Sequence, residues 1–169
     1  MNLQKYLRSG LVVLVVVCGA VPAFAGAPAR GYTGVVTHVS DGDTLWVRTA
    51  QQAEPVKVRL QGMDAPESCQ AWGREATAAL KDRALYQTVQ LQSRTRDTYG
   101  RMVARASLRG EDLGRWMVAN GHAWSYGWRG RSAPYAAEQL QAQAARRGLW
   151  AQAAMEPRAF RKRHGSCAH

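Results

Sequence analysis

Acidic residues are scarce in this chain of 169 residues, and cysteines are scarcer. Asp and Glu total 12 against 23 Lys and Arg, and there are three Cys. No apolar run reaches the roughly 20 residues that a membrane-spanning helix needs. No internal repeat, low-complexity tract or second domain can be traced along the sequence. A solenoid is thereby excluded, and the cysteine count leaves room for one disulfide once the first segment is set aside. The longest apolar stretch, residues 11–20, follows Lys5 and Arg8 and precedes Ala23-Phe24-Ala25. That is the pattern of a signal peptide with a small-x-small cleavage site. Residues 1–25 therefore read as an export signal and Gly26 as the mature N-terminus. A lipoprotein reading of Cys18 is poorer, because Val17 stands where such signals want a small residue.

Cleavage would leave 144 residues, enough for one domain with a real core. The net charge of +11 drops to near +9 without Lys5 and Arg8. The pI of 10.3 predicts attraction to polyanions: nucleic acid, acidic polysaccharide or an anionic membrane surface. Charge alone favours nucleic acid only weakly. The expected location is secreted or periplasmic, an oxidising compartment, so Cys69 and Cys167 are expected to form one bridge, with two free thiols as the alternative.

Residues 33–39 (TGVVTHV), 44–48 (TLWVR) and 56–60 (VKVRL) read as strands, separated by Asp41-Gly42 and a polar loop. A helix follows at about 75–85, with Ala76, Ala79, Leu80 and Ala84 on one stripe. Two further strands are expected at 88–92 and 102–108. A short helix at 112–120 turns Leu113, Trp116 and Met117 inward and stops at Gly121. A third helix opens at Ser132 and Pro134 and closes at Gly148. Five short strands with a helix between the third and fourth predict an α+β fold, a five-stranded Greek-key β-barrel (OB-fold) with three helices. The expected division is 1–25 signal, 26–150 barrel domain and 151–169 a basic tail without a clear period.

Four patches of polar residues sit at the loop edges of these strands: Asp41-Gly42-Asp43-Thr44, Arg59, Asp64-Ala65-Pro66-Glu67, and Asp97-Thr98-Tyr99-Gly100-Arg101. Each alone has an ordinary explanation in turn chemistry or solvated charge. An EF-hand is excluded, since Leu45 and Trp46 stand where a ligand and the turn glycine are required. Converged on one rim, the patches match phosphodiester hydrolysis. Asp43 and Asp64 supply oxygen ligands for a hard divalent cation, Glu67 can activate or orient water, and Arg59 and Arg101 can hold a phosphate and its extra transition-state charge.

This set, with Ala137-Glu138 through Gly148-Leu149-Trp150, resembles the staphylococcal nuclease family over residues 34–150. The resemblance implies Ca2+ as cofactor, held by the Asp43 and Asp64 carboxylates and the backbone carbonyl of Ala65. It implies Glu67 as the water-activating base, Arg59 and Arg101 as a phosphate clamp, and Tyr99 against a substrate phosphate. It also implies cleavage of DNA or RNA at the bond to the 5′ oxygen, leaving 3′-phosphate ends. Two positions depart from the family: Ala65, where threonine is known but only the carbonyl matters, and Thr98, where a lysine contact is lost.

Tyr126 and Trp128 are candidates for stacking bases, while Trp124 is expected to pack in the core. His122 is expected to be a packed or surface imidazole rather than a base. DNA and RNA are the expected partners of a monomer that has no stable protein partner and no membrane attachment after cleavage. Two competing readings remain: a non-catalytic single-stranded nucleic-acid-binding OB-fold module, and an oligosaccharide-binding barrel. Against the first stands the filling of every catalytic position of the motif, and the second would not need two arginines and three carboxylates together.

Overall fold

Alternation of apolar and polar side chains dictates the barrel. The structure, a computed structural model, describes residues 30–127 and 132–167. The expected signal segment 1–25 and Trp128 lie outside the described residues. Strand β3 (Val56–Leu60) buries Val56, Val58 and Leu60 and turns Lys57 out, as its period of two requires. Strands β1 (Arg30–Asp41) and β2 (Thr44–Thr49) precede it, and β4 (Met63–Asp64) is a two-residue strand after it. Helix α1 (Gly73–Ala84) leads to β5 (Thr88–Arg96) and β6 (Met102–Leu108). A short β7 (Glu111–Asp112), helix α2 (Leu113–Ala119) and a short β8 (Trp124–Ser125) follow. Helix α3 (Ala136–Ala144), a 3-10 turn (Gly148–Ala151) and helix α4 (Pro157–His164) complete the chain.

Five strands close in the order β1–β2–β3–β6–β5 and back to β1. Every joint is antiparallel except β3–β6, where Val58 pairs with Met102, Arg59 with Val103 and Leu60 with Ala104 in parallel. This is the expected α+β OB-type barrel. β1 serves both sheet edges: its C-terminal part pairs with β2 and its N-terminal part with β5, and register shifts at Val36/His38 and Val39/Asp41 bend it between them. Val36, Leu45, Val47, Val58, Leu60, Leu91 and Ala104 fill the interior. Each fully buried Val or Leu contributes about 1.5–3 kcal/mol.

Helix α1 lays Ala76, Leu80 and Ala84 on the barrel, the stripe expected from sequence. α2 buries Leu113, Met117 and Val118. Trp116 is half-buried rather than in the core, stacked on His122 with ring centroids 5.9 Å apart. Tyr135, before α3, is buried, and its hydroxyl donates to the Asp112 carboxylate at 3.1 Å, which ties α3 to α2. The helix count differs from expectation. The fourth helix, α4, lies in the segment that shows no apolar period, and among its residues only Pro157 is buried. Cys69 and Cys167 are joined, as expected from sequence. Closing a 98-residue separation stabilises the fold by on the order of 4–5 kcal/mol in chain-entropy terms. Among the described residues no helix is long and apolar enough to cross a membrane.

Two glycines are fixed by close approach. A Cβ on Gly42 would stand 2.7 Å from the Ala65 Cβ and 2.9 Å from the Ala76 Cβ, so Gly42 lets the β1–β2 turn meet both α1 and the end of β4. A Cβ on Gly73 would run into the carbonyl of Glu67. The bare backbone of Gly73 thus seats residue 67 against the start of α1. The preceding residue, Trp72, adopts a left-handed φ of 69°, a conformation costing about 1–3 kcal/mol for a bulky residue. Its ring offsets this by stacking on His122 and donating from Nε1 to His122 Nδ1 at 3.3 Å.

Two outcomes follow from this packing. Gly73→Ala should lower the stability measured by urea unfolding by about 1–3 kcal/mol; an unchanged midpoint would contradict the close approach. Burial holds the His122 pKa below its ordinary value of 6.5. The unfolded chain therefore takes up a proton at pH values where the folded imidazole remains neutral. Stability from this group is complete above pH 6.5 and is lost as pH falls below it. The melting temperature of His122→Gln should accordingly fall less than that of the parent between pH 7 and pH 5.5.

Candidate active site

Asp43 is set by its own turn. Its N–H donates to Asp41 Oδ1 at 3.0 Å, and its carbonyl accepts the N–H of Leu60 on β3 at 2.8 Å. The side chain is buried, with Oδ1 accepting from the Thr44 hydroxyl at 2.9 Å and Oδ2 from the Ala65 N–H at 3.1 Å. Asp64 is held in β4 by pairing with Trp124 of β8 and is only 3% exposed. Arg59 projects between them from β3. Its NH1 pairs with Asp43 Oδ2 and its NH2 donates to Asp64 Oδ1 at 2.7 Å. Two buried carboxylates from different elements therefore share one guanidinium, which offsets the desolvation and repulsion they would otherwise suffer. Burial lowers the Arg59 pKa, with Asp64 opposing the shift and the charge of Arg101 adding to it.

Glu67 follows on a turn stitched by Gln70, whose N–H donates to Glu67 O at 2.8 Å and whose Oε1 accepts the Glu67 N–H at 3.2 Å. The Glu67 side chain is half-buried and meets Arg161 NH1 at 2.8 Å through Oε1. Arg161 also donates from NH2 to Asp64 Oδ2 at 2.8 Å. The result is a row of alternating charge: Asp43, Arg59, Asp64, Arg161, Glu67. Burial opposes the charge of Arg161, but hydrogen bonds to Asp64 and Glu67 outweigh it and raise its pKa.

Arg101 stands just before Met102, the partner of Val58 across the parallel joint, so it enters from the strand beside Arg59. Asp97 orients it. Asp97 Oδ2 accepts Arg101 Nε at 2.7 Å, and Oδ1 accepts the N–H groups of Tyr99 and Arg101, both at 2.9 Å. Burial works against the Asp97 carboxylate, yet these hydrogen bonds hold its pKa below the ordinary value. Tyr99 is 82% exposed, its ring 5.3 Å from the Arg101 guanidinium.

The residues picked out by sequence thus fall into two groups. Asp43, Arg59, Asp64, Ala65 and Glu67 are knit together, and Arg101 with Tyr99 occupies the adjoining β5–β6 loop. Of the aromatics, Tyr126 lies next to β4, its N–H donating to Gly62 O at 2.9 Å and its ring under Arg158 at 5.3 Å. Trp124 packs edge-on to Trp150 at 4.3 Å, but it is half-buried rather than in the core where it was expected. His122 is occupied as a hydrogen-bond acceptor between two indoles. Arg161 and Gln70 were not foreseen. The basic run 158–163 signalled charge near the end of the chain, but nothing in it pointed to Asp64.

Among the described residues no three His, Cys, Asp or Glu side chains stand together as a ready metal cluster. The donors present are oxygens only: two buried carboxylates and the neighbouring Ala65 backbone. That chemistry fits a hard divalent cation that retains waters and does not fit zinc.

Comparison with known proteins agrees with this geometry. The family model described as staphylococcal nuclease homologue matches residues 57–152. The chain is 34% identical to a micrococcal nuclease of Shigella flexneri, over 92% of this chain and 96% of that protein. It is 36% identical to an uncharacterized endonuclease of Haemophilus influenzae, over 69% of this chain and 65% of that protein. A similar endonuclease of Escherichia coli O157:H7 is 36% identical over 71% and 78%. With the barrel, the rim residues and these matches in agreement, the chain belongs to the staphylococcal nuclease family.

Proposed function

We propose that this protein is an exported, calcium-dependent nuclease that hydrolyses phosphodiester bonds of DNA and RNA with low sequence specificity and leaves 3′-phosphate ends. The observation that carries the reading is the sharing of Arg59 by Asp43 and Asp64, with Glu67 beside them on the same rim. Membership of the family and the nuclease names of the relatives support hydrolysis of nucleic-acid esters in general. Calcium, product ends and export on the signal of residues 1–25 are this reading's own additions.

Asp43, Asp64 and the Ala65 carbonyl would hold the cation. A cation held there would supply positive charge for a phosphate oxygen and for a neighbouring water. The remaining steps belong to side chains. Glu67 takes a proton from the attacking water, and it is placed for this by the Gln70 turn and by the close seat of Gly73. Arg59, fixed on β3, would turn its guanidinium to a phosphate oxygen as its hold on the Asp43 and Asp64 carboxylates is relaxed. Arg101, aimed by Asp97, meets the charge that grows on the phosphoryl oxygens. Tyr99, exposed beside it, can donate its hydroxyl to a flanking phosphate. Backbone phosphates and a sequence-blind clamp imply low specificity.

Digestion of single-stranded DNA and of RNA, in calcium and then in excess chelator, tests the reading, with end-group analysis of the products. Cutting should stop in chelator and the ends should carry 3′-phosphate; persistent cutting would overturn the metal assignment. Glu67→Gln and Arg101→Ala should each lower turnover by about 100-fold or more, measured under saturating substrate. Rates within a few-fold of the parent would remove those residues from the chemistry. Substrate affinity should also fall steeply between 50 and 200 mM salt, on the order of 10-fold or more, because each phosphate contact releases counterions. A flat response in a filter-binding titration would exclude phosphate contacts as the main source of affinity.

A further inference from the structure

Arg161 is bound to two of the three carboxylates that the reading above needs, Asp64 and Glu67. It reaches Asp64 through both oxygens, Oδ2 at 2.8 Å and Oδ1 at 3.3 Å, and Glu67 Oε1 at 2.8 Å. Arg59 also engages Asp64, through Oδ1 at 2.7 Å, but it rises from the barrel wall itself and is a fixed part of the site. Arg161 comes from α4, a helix that buries only Pro157 and so has little apolar hold on the barrel. What keeps it there is polar or covalent. Gln70 Nε2 donates to Met155 O at 2.6 Å just before the helix, and Cys167 is bonded to Cys69 just after it. Both anchors belong to the same 64–70 segment that carries Asp64 and Glu67. The tail is thus tied to the loop whose charges its arginine covers.

We infer that Arg161 is a built-in competitor for the divalent cation, a guanidinium delivered by α4 and kept at high local concentration by the Cys69–Cys167 bond. The inference rests on the calcium reading and names a further residue that sets the site's cation affinity. Its physical basis is simple occupancy. The Asp64 and Glu67 oxygens that face Arg161 are acceptors for its N–H groups, and a cation with its waters needs the same lone pairs. Each engaged conformation of Arg161 is one in which the carboxylates are less available, so the apparent cation affinity falls by the fraction of molecules in the released state. The disulfide limits how far α4 can withdraw. Release is then a short local swing, and recapture is intramolecular.

Calcium titration by isothermal calorimetry on the full oxidised chain tests this without reading activity. Arg161→Gln should bind calcium about tenfold more tightly than the parent, as expected if Arg161 is engaged about nine-tenths of the time. Arg161→Lys, which keeps a charge but loses the forked contact, should fall between them. Cys167→Ser should tighten calcium in the parent and have no further effect in the Arg161→Gln background, because its influence passes through that arginine. Asp43→Asn serves as the control for the site itself. If Asp43→Asn abolishes binding while Arg161→Gln matches or weakens the parent, competition is excluded and the calcium reading stands. If neither the parent nor Arg161→Gln binds calcium, both fall together. An equal effect of Cys167→Ser in both backgrounds would overturn the role of the tether.

Discussion

The site depends on one guanidinium between two buried carboxylates. Asp43 arrives on the β1–β2 turn and Asp64 at the end of β4, and neither could be buried so near the other unless a positive charge stood between them. Arg59 meets that need from β3, the strand adjoining both. The geometry of the barrel then follows a functional constraint as well as a packing one. The parallel joint of β3 to β6 brings a second arginine, Arg101, alongside, and the bent β1 lets the Asp41–Thr44 turn fold over the same rim. Removing Arg59 would leave two like charges out of water, a loss of several kcal/mol. The cluster therefore contributes to the stability of the rim as well as to its chemistry.

The rim was readable from sequence because each of its residues interrupts a pattern. Arg59 is a basic residue on a strand whose alternate positions are apolar. Asp43, Asp64 and Glu67 sit where strands end, the places at which a barrel can bring distant positions together. Periodicity also located β2, β3, β6 and the apolar stripe of α1, since these elements are built by burial and burial leaves a period. β1 and β5 extend further than their apolar cores suggest. The extra residues are held by backbone pairing: Arg30 to Tyr32 with β5, Asp41 with Thr44 of β2, and Thr95 and Arg96 with Val103 and Met102 of β6, and hydrogen bonds along a backbone leave no mark on side-chain hydropathy.

Helix α4 was not readable for the complementary reason. It has almost no apolar face and is held in place by a disulfide, by Gln70 and by Arg161, contacts that a composition rich in arginine conceals. Gly42 and Gly73 are similar cases. In the sequence Asp41-Gly42 looks like a turn signal, whereas in the structure Gly42 is small because Ala65 and Ala76 press on it. Gly73 carries no sequence signal of its role at all, because what it accommodates is a carbonyl six residues away.

The Cys69–Cys167 bond has a topological consequence. Everything from the start of α1 to the end of α4 lies inside a single covalent ring, with β1 to β4 outside it. A protease that severs the backbone anywhere between residues 70 and 166 opens that ring but separates nothing. The two pieces stay one particle until the sulfur link is cleaved, so nicked molecules keep β5, β6 and the rim arginines attached to the carboxylates they serve.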